Sequence, residues 1–146
     1  MPSYKTHQLF GFGLALFLFM VSTQFGLGLV PSNPTQFLIA MGVILFYSIL
    51  ADMDIGTSVS RKIILGGGLL LLIYCFLTGM AALGVVTCGV LLAMTFLLTH
   101  RGRTHTIAAA GLFSVPLLYM GWHVALLGII SYISHLFIDG EMKLVK

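Results

Sequence analysis

Carboxylates are scarce in this chain: Asp and Glu together number four in 146 residues. Charged residues of both signs make up 8% of it, against 59% hydrophobic. So little charge excludes a soluble domain, because a fold of this size could not hide so much apolar surface. A mean hydropathy of +1.09 places the chain among integral membrane proteins. Seven Lys and Arg give a formal charge of +3. They are too few for a nucleic-acid footprint, and in a membrane protein basic residues record topology. Cys75 and Cys88 lie inside apolar runs and form no C-x-x-C. They read as unpaired core thiols, with a disulfide between neighbouring helices as the other reading. There is no G-x-x-x-x-G-K, G-x-S-x-G or H-E-x-x-H, and the serines have no nucleophile-elbow context.

What the chain has is apolar runs separated by short polar strings. The expected fold is all-α, a polytopic membrane protein of about six short transmembrane helices forming one domain over residues 1–146. The spans are read at 9–30, 36–51, 63–78, 82–98, 107–120 and 122–138. Pro31 and Pro34 turn the chain after the first span, Gly79 and Gly121 mark two tight turns, and Pro116 kinks the fifth helix. Gly66-Gly67-Gly68 suggests close helix packing. Lys5 precedes a run with no A-x-A-like exit, so the first span is expected to be a retained helix. Several runs hold only about 14–17 residues, roughly 21–26 Å of helix against a ~30 Å hydrocarbon core. Short spans imply local thinning or a site recessed below the headgroups.

Counting crossings places every polar string on one side. Lys5 and His7 precede the first span; the string 52–62 follows the second; 100–105 follows the fourth; His135 and Asp139 end the sixth. Each is separated from the others by an even number of crossings. All seven Lys and Arg lie on that same side. The positive-inside rule then puts both termini and the polar cluster in the cytoplasm of an inner (plasma) membrane protein.

An ionisable group beside lipid is costly, so its default reading is a site with a partner. His135 and Asp139, spaced i, i+4, share one helix face and make a bidentate metal clip; a surface ion pair is the plainer alternative. Asp52 and Asp54 directly follow an apolar span and repel each other unless a cation compensates, or else they form a solvated helix-ending turn. His100, Arg101, Arg103 and His105 share one polar connection. Its imidazoles suit a metal and its guanidinium forks suit phosphate or carboxylate oxygens, while the plainer reading is a basic loop held to anionic lipid. His7 opens the chain on the same side. His123, about 18 Å along the last helix from His135, is expected to be an interfacial neighbour of Trp122 and no ligand.

The strings H, A-D-M-D, H-R-G-R-T-H-T and H-L-F-I-D-G occur in this order at residues 7, 51–54, 100–106 and 135–140. Along essentially the whole chain they resemble the YdjM-like family of predicted membrane-bound metal-dependent hydrolases, whose pattern is H, P-D-x-D, H-R-G-x-T-H-S and H-x-x-x-D. The stretch 100–106 is the most specific part. Ala51 stands where the family usually has Pro, and Thr106 where it has Ser. The resemblance implies functional roles for His7, Asp52, Asp54, His100, Arg101, His105, His135 and Asp139. A more distant likeness, to the zinc-dependent phospholipase C group, implies a lipid phosphoester as substrate.

The expectation is therefore a cytoplasm-facing metal-dependent hydrolase. One or two divalent ions, zinc first with manganese or iron as alternatives, would be held by His7, Asp52, Asp54, His105, His135 and Asp139. The metal would activate a water, Arg101 or Arg103 would receive developing negative charge, and His100 would act as acid, base or supporting partner. Its partners would be the lipid bilayer and an amphipathic, lipid-phosphate substrate. The rival class is a metal-binding membrane protein or transporter without turnover. A transporter's site belongs near the midplane, and spans two to five carry no charge at mid-depth.

Overall fold

The structure, a computed structural model, describes residues 3–55, 57–82, 84–86, 89, 93, 104–140 and 142–144, with only the backbone of Asp54. It is all-helical, with no strand among the described residues. The helices are α1 (Tyr4–Phe25), α2 (Pro34–Leu50) with a 3₁₀ turn over Ala51–Asp54, α3 (Val59–Leu77), α4 (Ile107–Ser114) with a 3₁₀ turn over Val115–Met120, and α5 (Trp122–Ile138). Three segments are long and apolar enough to cross a membrane: Tyr4–Phe25, Pro34–Met53 and Val59–Leu77. The expected fourth span, 82–98, lies largely outside the described residues.

Capping chemistry sets the helix boundaries and corrects three of the expected ones. Helix α1 begins at Tyr4 and not near residue 9, because the Ser3 hydroxyl accepts the Thr6 N–H. It stops at Phe25 and not near 30, because Gly26 takes the left-handed conformation at φ 65° and Leu27 N–H returns to the Ser22 carbonyl. Asn33 caps α2, with Pro34 in the first turn where its missing N–H costs nothing. Ser58 caps α3 through the Arg61 N–H, which starts that helix four residues earlier than the apolar run suggests.

The contacts group the residues into two compact units, 1–51 with 105–146 and 52–104. In the first, α2 packs on both α1 and α5, and Ala15, Phe19, Ala40, Ile44 and Leu127 form the core cluster. Small residues let the helices approach: a Cβ on Gly11 would stand 2.9 Å from Ser48 Cβ, and one on Gly128 2.5 Å from Leu117 Cδ1. The expected break at Pro116 appears as the change from α4 to 3₁₀ geometry. In that geometry the Phe113 carbonyl would look to residue 116 for its donor, and proline has none. The Tyr47 hydroxyl donates to it instead, at 2.7 Å.

In the second unit α3 ends in a turn at Gly79, φ 77°. The described residues at 81, 82, 84–86, 89 and 93 are again helical. Gly84 approaches α3 so closely that a Cβ would lie 2.7 Å from Cys75 Cβ. Cys75 is buried and free, and Cys88 lies outside the described residues. The glycine run does not behave as expected at two of its positions. A Cβ on Gly66 or Gly67 would meet nothing within 4 Å among the described residues, so neither serves close packing there.

Candidate metal centre

Three helix ends of the first unit bring histidines to one aspartate. His7 lies in the second turn of α1, His105 in the segment before α4, and His135 and Asp139 in the last turn and at the C-cap of α5. All three histidines are no more than 1% exposed. Nε2 of His135 is 3.2 Å from Asp139 Oδ2, Nε2 of His105 is 3.9 Å from the same oxygen, and Nε2 of His7 is 3.5 Å from Asp139 Oδ1. The His7 and His135 rings stack at 4.0 Å between centroids, and His105 stands edge-on to His135 at 5.6 Å.

Local sequence explains the placement of each group. The i, i+4 spacing turns His135 and Asp139 to one face, and Asp139 ends the helix with its N–H on the His135 carbonyl at 3.1 Å. Gly140 follows at φ 68° and reverses the chain. The tail then returns to α4: the carbonyls of Lys143 and Leu144 accept the Ile107 and Ala108 N–H groups at 2.9 and 3.2 Å. Those are two of the donors a helix start leaves unpaired, and the Thr106 hydroxyl takes a third, from Ala109. The segment carrying His105 is thus anchored at a helix N-terminus by hydrogen bonds from two sides.

The donor atoms of the cluster are of the kind that can hold a cation. His135 Nδ1 lies 2.9 Å from the Ser48 carbonyl oxygen, which can only accept, so Nδ1 carries the proton. In a neutral ring the Nε2 lone pair then faces the Asp139 carboxylate. A metal ion could be shared by these side chains, and a backbone carbonyl such as the one behind His135 is the usual partner that orients a ligating imidazole. Asp139 Oδ1 is buried and has no hydrogen-bond partner among the described residues, which leaves it open to a cation. Nitrogen and carboxylate donors together suit zinc, manganese or iron.

Asp52 continues the 3₁₀ turn that begins at Ala51. With His105, His135 and Asp139 it supplies a set of four ligand atoms that all lie within 4.8 Å of one another. His7 lies against this set through its stack on His135 and its approach to Asp139. The side chain of Asp54 and the whole of His100, Arg101 and Arg103 lie outside the described residues. His123, second residue of α5, packs edge-on against Trp122 at 6.0 Å, away from the cluster in its own helix. Sequence reasoning missed the Ser48 carbonyl and the tail. The first is backbone and has no residue signature; the second lies in a C-terminal stretch with no motif.

Comparison with protein-family models, curated proteins and solved structures finds no match to this chain. The functional reading therefore rests on the residues and their geometry.

Proposed function

We propose that this chain is a membrane-embedded metal-dependent hydrolase acting on a phosphoester of a lipid or other amphipathic substrate. The observation that carries the proposal is the convergence of His7, His105 and His135 on Asp139 in a buried cluster. Buried imidazole and carboxylate groups gathered at one point are the kind of donor set that an ion binds. Membrane embedding is supported by the three long apolar helices and by large side chains that stand open on them, among them Leu70, Phe76 and Leu77. On this reading the cluster and both termini face the cytoplasm, a sidedness that the positive-inside rule supports. The order of the polar strings, like that of the YdjM-like family, points to hydrolysis.

On this reading Asp52, His105, His135 and Asp139 hold the ion, with His7 and Asp54 as further ligands or supports. A divalent ion there supplies Lewis acidity and brings the ionisation of water close to neutral pH. The protein's own share is orientation and charge. Ser48 holds the His135 ring through its Nδ1, and His7 fixes the opposite face of that ring. Arg101 or Arg103 takes up negative charge developing on the phosphoryl oxygens, with a planar fork matched to them. His100 moves a proton at the reacting oxygen.

The test is hydrolysis of lipid phosphoesters in detergent, with and without chelator. Arg101→Lys keeps the charge and loses the fork, so it should lower turnover by about tenfold or more while metal content holds. Activity that survives verified metal removal contradicts the proposal. Metal bound at the named residues with no turnover on any lipid phosphate replaces it with a non-catalytic metal-binding role.

A further inference from the structure

Alongside the histidine cluster, α1 and α5 enclose a groove of about 320 Å³ lined by Phe10, Leu14, Ile130, Ile133, Ser134, Phe137 and Met142. On α5 the lining positions run i, i+3, i+4, i+7, a single helical stripe beside the one that carries His135 and Asp139. On α1, Phe10 stands one turn beyond His7, and its ring stacks on Phe137 at 6.1 Å. The groove and the cluster are neighbours along the same helix pair.

The lining decides what the groove can take. Its one polar side chain among the described residues, Ser134, already donates its hydroxyl to the Ser131 carbonyl at 2.7 Å. The other six side chains carry no hydrogen-bonding group, so a polar occupant would lose its water partners and gain nothing. A flexible hydrocarbon chain loses no hydrogen bonds on entering. The charge around the groove specifies the rest of the molecule. Lys5 precedes Phe10 in the exposed first turns of α1, and exposed Lys143 directly follows Met142. An exposed ammonium group that directly follows a lining residue complements an anionic head attached to that chain.

We propose that this groove is a hydrocarbon-chain site that holds the acyl or prenyl tail of an anionic lipid with its head at the histidine cluster. The proposal rests on the hydrolase reading for the role of that head, and goes beyond it in assigning the tail a binding site. Met142 gives the site a second property. It belongs to the tail segment whose next two carbonyls hold the start of α4, so a chain in the groove presses on the same strap that anchors His105.

The experiment uses the full chain in detergent and n-alkyl phosphates from hexyl to tetradecyl, one of them bearing a photoactivatable group on its chain. Photolabelling should fall on Phe10, Leu14, Ile130, Ile133, Phe137 or Met142. Competing affinity should rise about fourfold per added methylene until the groove is full, then level off. Ile133→Trp and Leu14→Trp, from opposite walls, should each abolish the labelling and flatten the length dependence, with metal content at the wild-type level as the check on folding. Labelling spread evenly over α3, or a length dependence unchanged in both Trp variants, overturns the proposal. So does a photoadduct that joins two copies of the chain through these residues. Because binding is read without turnover, the two readings separate. Chain binding with no hydrolysis supports the groove and removes the hydrolase; metal-dependent hydrolysis that is indifferent to chain length does the reverse.

Discussion

Gly11 on α1 and Ser48 on α2 approach so closely that a Cβ on the glycine would lie 2.9 Å from Ser48 Cβ. This contact stands directly behind the histidine cluster. One turn before Gly11 is His7, and the carbonyl of Ser48 orients His135. The 4.0 Å stack of the two imidazoles therefore depends on a position without a side chain.

Gly11→Val is expected to push α1 from α2 and part that stack. Overpacking at such a site costs about 1–3 kcal/mol. Thermal unfolding in detergent should show the loss, and metal retention during dialysis should fall with it. Unchanged stability together with unchanged retention would mean that the helix contact does not set the cluster.

Tyr47→Phe tests a different joint. It removes the hydroxyl that donates to the Phe113 carbonyl, whose donor in 3₁₀ geometry would be the missing N–H of Pro116. An orphaned carbonyl costs about 1–3 kcal/mol. The midpoint of unfolding should drop while metal content stays at the wild-type value, because the residue does not touch the cluster. A fall in metal content with no loss of stability would contradict this account of the kink.

Topology is tested by reporter fusions after Lys146 and within the Pro31–Pro34 turn. The basic residues, seven in all, are read on one face, so the two fusions should report cytoplasm and exterior respectively. The same side for both would remove the six-span reading.

Much of the helix pattern was legible because apolar runs and their punctuation are local signals. Gly79 and Gly121 both mark turns with positive φ, and Pro116 marks the 3₁₀ switch. The ends of α1 and α3 were not, because hydropathy overlooks a polar first turn that Ser3 or Ser58 can cap. The His135–Asp139 clip could be read from spacing alone. The approach of His7 and His105 to it is a tertiary fact, reached from sequence only by counting crossings. What orients the cluster was invisible: the Ser48 carbonyl and the Lys143–Leu144 strap act through backbone atoms that no residue type announces. At Gly66 and Gly67 a motif usually tied to close packing proved to face open space.

The most direct measurement is elemental analysis of the protein purified in detergent without chelator, after growth with zinc, manganese and iron supplied. Wild type and His123→Ala should each carry one or two divalent ions per chain. His135→Ala and Asp139→Ala should lose them, since each removes a ligand and leaves its partner uncompensated in a buried site. A metal-free wild type, or full occupancy in both of those variants, would contradict the metal centre on which the proposed function stands.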